Sequence, residues 1–340
     1  MGVKGWTKAC LNRGLKRYGQ EIVLTEDLYE WQRVRADKPC WNDSPLPAEA
    51  AQYLRPDNPK LIELSKRYSA FDSEVTTPLV WTDSHVRPED LLHFRGDNAW
   101  VWQVRGRNAN LLGYAVTFYY LKSIDRFGLL EKLHEDNSFG NFTFEIGNRL
   151  VSRDLLDSIN DIYFLDRHLK IGTAGCTRVL DIGAGYGRLA YRMTSALPGI
   201  QEVLCTDAVA FSTFVSDYYL RFRGAAKALV IPLDEIDKTL EDHPIELAAN
   251  ILSFSECRVS AIEWWTRLLR KHRVKYLMIS PNCCCGSNGE LLLTNDGHDF
   301  LPVLERYGYK TVLKEPKYLD PVIQEYGLYP SWYHLLELRT

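Results

Sequence analysis

The stretch from Arg178 to Ala190, RVLDIGAGYGRLA, limits what this chain can fold into more than any other. Arg178–Ile182 is a short, mainly apolar run containing Asp181, the pattern of a strand buried on both faces. Gly183, Gly185 and Gly187 follow at alternate positions, and from Arg188 onward the spacing becomes helical. A strand, a glycine turn and a helix N-terminus together bring bare backbone N–H groups against a ligand. The rest of the chain has to supply the sheet in which such a strand can be buried.

Downstream, short strands and helices alternate. VLDI, EVLCTD, KALVIP, IELAANIL, VKYLMISP, YKTVLKE and SWYHLLELR read as strands, with helices near Phe211–Phe222, Ser260–Lys271 and Phe300–Tyr307. This alternation predicts an α/β domain with a parallel sheet and helices on both faces. The last two strands follow one another with no helix expected between them, so one of them should run antiparallel. Upstream, SRDLLDSINDIYFLDRHL begins with Ser152, a good N-cap, and carries a broad apolar face. Residues 109–134 show helical spacing, while residues 1–60 read as short helices joined by proline-bearing loops. The expected division is a mainly helical lid over 1–150 and an α/β domain over 151–340.

Composition narrows the possible functions. A net charge of −3 supplies no global basic field, so binding that depends on phosphate contacts to nucleic acid is not expected. No apolar run is long enough to span a bilayer, and the first residues carry no apolar signal core; the expectation is a cytoplasmic protein with no membrane partner. The eight cysteines, including Cys283, Cys284 and Cys285 in a row, lack paired CxxC spacing and read as reduced thiols.

Glycine turns of this type also bind nicotinamide dinucleotides, but that pattern wants a third glycine where this chain has Arg188. The pattern here is apolar, apolar, Asp, apolar, Gly, any, Gly, any, Gly. VLDIGAGYG resembles motif I of the class I S-adenosylmethionine-dependent methyltransferases. A second landmark of that family is an acidic residue at the end of the next strand, where Asp207 closes EVLCTD. The resemblance implies a Rossmann-like domain with a mostly parallel seven-stranded sheet and S-adenosylmethionine as cofactor. It places cofactor contacts at Asp181, Gly183, Gly185, Gly187, Asp207, Ala208, Leu233, Asn250 and Ser253, with Gln103 contributed by the lid.

A narrower similarity, to the sugar O-methyltransferase family, rests on FRGDNAWVWQ (94–103), SRDLLDSINDIYFL (152–165), NILSFSEC (250–257) and ELLLTNDGHDFLPVL (290–304). It implies attack of a sugar hydroxyl on the cofactor's methyl group, with a saccharide or glycoside as partner. A weakly acidic hydroxyl calls for a general base at the C-terminal edge of the sheet. Glu256, just after the fourth strand, is the first candidate, followed by His298 and Asp296. His85, His93, Arg95, Asn98 and Trp100 are expected to face the substrate, in a segment that interleaves aromatic and polar side chains. A divalent metal held by Glu256, Asn295, Asp296 and Asp299 is chemically possible, but no spacing establishes one. Two alternatives stay open: a small-molecule methyltransferase with a non-sugar acceptor, and a catalytically silent methyltransferase-like binding module. The oligomeric state is left undetermined.

Overall fold

The computed structural model describes residues 11, 14–18, 45–82, 85, 87–96, 111–173 and 177–339. After a two-stranded hairpin, β1 (Phe144–Ile146) and β2 (Arg149–Val151), the sheet is built from β3 (Thr177–Ile182), β4 (Ile200–Thr206), β5 (Ala228–Val230), β6 (Leu247–Ile251), β7 (Tyr276–Ser280), β8 (Tyr309–Pro316) and β9 (Trp332–Leu338). Its order is β5-β4-β3-β6-β7-β9-β8. β9 is antiparallel to both of its neighbours, and the pairings from β5 to β7 are parallel. This is the mostly parallel, seven-stranded α/β architecture expected, including the single reversed strand. One difference is a short helix, Pro321–Tyr326, between β8 and β9. Asp320 caps it by accepting from the Val322 and Ile323 N–H groups, and Pro321 fills its first position.

The helices that flank the sheet are used below as α1 (Pro59–Ser69), α2 (Leu111–Ile124), α3 (Arg153–Leu169), α4 (Arg188–Ala196), α5 (Ala210–Phe222) and α6 (Val259–Lys271). α3 starts where expected: Ser152 Oγ accepts the Leu155 N–H at 3.0 Å. It is not a half-exposed amphipathic helix, however, because every residue from Arg153 to Asp166 is buried. Its apolar stripe joins the core and its polar stripe faces the mouth of the sheet. α1 packs on α5, and α2 packs on α3. One continuous buried cluster runs from Ala50 through Tyr114, Leu156 and Val179 to Leu336, so the described parts of residues 1–150 share their core with the sheet. No helix among the described residues is long and apolar enough to cross a membrane.

Candidate functional site

The chain winds from β3 outward to β4 and β5, then returns to β6 on the other side of β3. That reversal opens a crevice beyond the C-terminal ends of β3 and β6, where open α/β sheets take ligands. A cleft of about 130 Å³ occupies it. Its floor is the glycine turn, its sides are Asp207–Val209 and Ile251–Ser253, and Arg153, Asp154 and Asp157 of α3 close it with Trp81 and Glu256.

Backbone geometry explains the glycines. Gly183, Gly185 and Gly187 have φ of 72°, 57° and 86°, in the left-handed region that side chains disfavour. A Cβ on Gly183 would overlap the Cβ and Oγ of Ser253, so the two segments press together without room for a methyl group. At Gly187, the N-cap of α4, a Cβ would stand 3.0 Å from Leu220 and from Ser216 Oγ. Asn250 ties the floor to β6: its Nδ2 donates to the Ile182 carbonyl at 3.0 Å and to Ser253 Oγ at 2.7 Å, and its Oδ1 accepts from the Phe254 N–H. Leu252, on the cleft wall, is held at φ 69° and ψ −35°, a strained conformation for a leucine.

Asp207 is fixed by backbone alone. Its Oδ2 accepts the Gly185 N–H at 3.1 Å and its Oδ1 accepts the Val209 N–H at 2.8 Å. Burial nonetheless pushes its carboxyl up to about 7, against the opposing effect of those hydrogen bonds. Asp181 also rises to about 7; burial is the main cause, Arg188 opposes it, and Asp161 and Asp207 reinforce it. The Glu256 carboxyl is raised by burial and restrained by two neutral donors, Asn282 Nδ2 at 3.0 Å and Trp81 Nε1 at 2.7 Å. Neither Asp207 nor Glu256 has an ion-pair partner among the described residues. By contrast, Asp157 accepts from Lys317 Nζ at 2.5 Å and from Arg153 Nε at 3.1 Å, and Asp154 accepts from the Tyr186 hydroxyl at 2.5 Å.

Several residues singled out from the sequence meet here. Gly183, Gly185, Asp207, Ala208, Ser253 and Glu256 all line the cleft. Others support it from behind. Asn250 is the clamp just described, Asp181 lies below the floor at 4% exposure, and Leu233 is fully buried with its N–H donated to the Tyr68 hydroxyl. Three expectations need correction. Asp296 and His298 do not reach the cleft: they pair with each other at 3.1 Å in an exposed loop. That loop is closed by the Thr294 N–H on the His298 carbonyl and by the Thr294 hydroxyl on Asp296, and the Asn295 N–H ties it to the Ser255 carbonyl at 2.6 Å. Arg95 is fully buried, bound to Glu135 and to Asp136, so it is part of the packing and not of a substrate wall. His85 is exposed beside Thr82, and His93 sits half-buried at the end of the short helix Pro88–His93; neither lines the cleft. Asn98, Trp100 and Gln103 lie outside the described residues.

The oxygen ligands considered for a metal are separated, with Glu256 in the cleft and Asp296 and Asp299 on the exposed loop. Among the described residues no group of three or more His, Cys, Asp or Glu converges on a point. Cys205, Cys257, Cys283, Cys284 and Cys285 are free thiols. Sequence reasoning passed over Arg153, Asp154 and Asp157, the polar stripe of α3, as well as Tyr186 inside the glycine motif. The signal was present in three charged residues in the first turn and a half of a capped helix just before the motif.

No protein-family model and no curated protein sequence matches the chain. Solved structures that resemble it include the [4+2]-cyclase SpnF (14% identity, 66% of this chain and 94% of that one, TM-score 0.40). An S-adenosylmethionine-dependent methyltransferase from Clostridium acetobutylicum shares 11% identity over 54% of this chain and 91% of that one, with TM-score 0.38. The mitomycin 7-O-methyltransferase MmcR shares 16% over 55% and 57%, with TM-score 0.36.

Proposed function

We propose that the chain is an S-adenosylmethionine-dependent O-methyltransferase that methylates a hydroxyl of a sugar, glycoside or oligosaccharide. The observation that carries this reading is the charge in the cleft. A glycine turn at the sheet's point of reversal faces the half-buried Asp207 and the buried Glu256, two carboxylates with no cationic partner among the described residues, with Asp181 just below. A ligand bearing an ammonium and a sulfonium would supply the missing counter-charge. When bound, the cofactor provides an electrophilic methyl group.

The protein's own contribution is alignment, exclusion of water and proton transfer. Each Asp207 oxygen spends one acceptor site on backbone and keeps another for a ribose hydroxyl. The bare floor at Gly183 and Gly185 allows close approach. Glu256 is held by Trp81 and Asn282 with a raised proton affinity, which suits it to accept the acceptor's proton as the new O–C bond forms and the C–S bond breaks. The sugar assignment is supported by two of the family-like segments, 152–165 and 250–257, which contribute Arg153, Asp154, Asp157 and Glu256 to the lining of the cleft. Such a mixture of donors and acceptors, with Trp81 beside it, matches a polyhydroxylated acceptor.

Calorimetry with S-adenosylhomocysteine tests the cofactor, and the expected result is saturable binding that Asp207→Ala weakens at least tenfold. A panel of methyl hexosides, disaccharides and non-sugar phenols, read by mass shift, tests the acceptor. Methylation confined to the phenols would overturn the sugar assignment, and absence of cofactor binding would overturn the whole reading.

A further inference from the structure

Glu256 does not stand alone. Asn282, at the first turn beyond β7, donates its Nδ2 to Glu256 Oε1 at 3.0 Å, and its backbone N–H bonds to Ser255 Oγ at 3.1 Å. The amide cannot turn freely, because the Tyr329 hydroxyl donates to Asn282 Oδ1 at 3.0 Å and so dictates which end faces the carboxylate. Tyr329 is fixed in turn: its backbone has φ 45°, the Arg153 guanidinium lies 4.5 Å over its ring, and its carbonyl accepts from Lys317 Nζ at 3.3 Å. Neither Asn282 nor Tyr329 lines the cleft, although both adjoin a carboxylate that does.

We infer that Asn282, oriented by Tyr329, is a positioning residue that sets the direction and the proton affinity of Glu256 for methyl transfer. The inference rests on Glu256 as the base in the proposed reaction. A donor to a carboxylate favours its charged form, so the Asn282 amide opposes the upward push that burial gives the Glu256 carboxyl. A reversed amide would present its carbonyl oxygen and act in the opposite direction. The tyrosine hydroxyl, which accepts the Cys283 N–H at 3.2 Å and donates to Asn282 Oδ1, opposes that reversal because its own proton would lose its acceptor.

Trp81 provides a direct probe, because its indole N–H donates to the other oxygen of Glu256. In protein labelled with ¹⁵N-tryptophan, the Trp81 indole resonance, assigned by Trp81→Phe, should titrate with Glu256, and the titration should vanish in Glu256→Gln. Asn282→Ala is expected to raise the midpoint by about one pH unit, the loss of one hydrogen bond to a charged group. Tyr329→Phe, which keeps the ring, should raise it by a smaller amount. Affinity for S-adenosylhomocysteine should stay within about twofold in both variants. An unmoved midpoint in a folded Asn282→Ala protein would overturn the inference. Turnover of the hexoside panel by Glu256→Gln at the wild-type rate would overturn the base assignment itself, and the inference with it.

Discussion

Gly183→Ala should couple energetically to Ser253 in a way that a generic turn glycine would not. Two costs add at this position. An alanine at φ 72° carries a strain of roughly 1 kcal/mol. Its methyl group also overlaps the Cβ and Oγ of Ser253, and overpacking of this kind costs about 1–3 kcal/mol. Ser253 cannot withdraw cheaply, since its Oγ receives the Asn250 Nδ2 hydrogen bond at 2.7 Å and Asn250 in turn holds the Ile182 carbonyl. The single substitution is therefore expected to lower unfolding stability by about 3 kcal/mol. Ser253→Gly removes both atoms of the overlap and one hydrogen bond, at about 1 kcal/mol alone. In the double variant only the strain and the lost bond remain, about 2 kcal/mol, so the two changes should fall short of additivity by about 2 kcal/mol. Urea unfolding of the four proteins of the cycle measures this. Additive losses within about 0.5 kcal/mol would refute the close approach of the glycine turn to the β6 loop.

Glu256→Gln should lower turnover at least a hundredfold while leaving S-adenosylhomocysteine affinity nearly intact, measured by steady-state kinetics and calorimetry. Asp181 and Asp207, raised from 3.8 to about 7, hold protons in the free protein at pH 6, and a cationic ligand should expel them. Calorimetric heats at pH 6 should therefore differ between phosphate and Tris, and affinity should climb with pH and level off above about 7; equal heats would refute the linkage. Because these folded values lie above the unfolded ones, the stability the two carboxyls contribute is full below about pH 4 and declines as pH rises through 7. Glu135 is the opposite case. Arg95 and Arg192 act against its burial and bring its carboxyl below the ordinary value, so its contribution is present at neutral pH and lost as pH falls through the folded value. Glu135→Gln should cost about 3–5 kcal/mol in urea unfolding, since two buried guanidiniums lose their shared partner.

The elements governed by local rules were legible in the sequence. β3, the glycine turn, the Ser152 cap and the position of Asp207 all follow from neighbouring residues. Glu256 could be placed because the end of β6 must open on the crevice. The remainder depends on partners distant in the chain. Nothing near Arg95 announces Glu135, and nothing near Glu135 announces Arg192. The TNDGHDF stretch looked like a site because it follows a strand on the ligand side, yet although its Asn295 N–H is tied to the Ser255 carbonyl, its Asp296 and His298 side chains pair with each other and are exposed. The helix Pro321–Tyr326 was a different kind of miss: LDPVIQEY carries an Asp cap and a proline at the first position, a local signal left unread.

The placement of β9 has a consequence for synthesis on the ribosome. β9 lies between β7 and β8, yet it leaves the exit tunnel after both. Until Trp332–Leu338 emerges, both of those strands present unpaired edges. The polar chain behind Glu256 joins the turn after β7 to a segment made after β8. A nascent chain stalled before β9 would have the residues of its glycine turn and lack the strand that pairs β7 with β8.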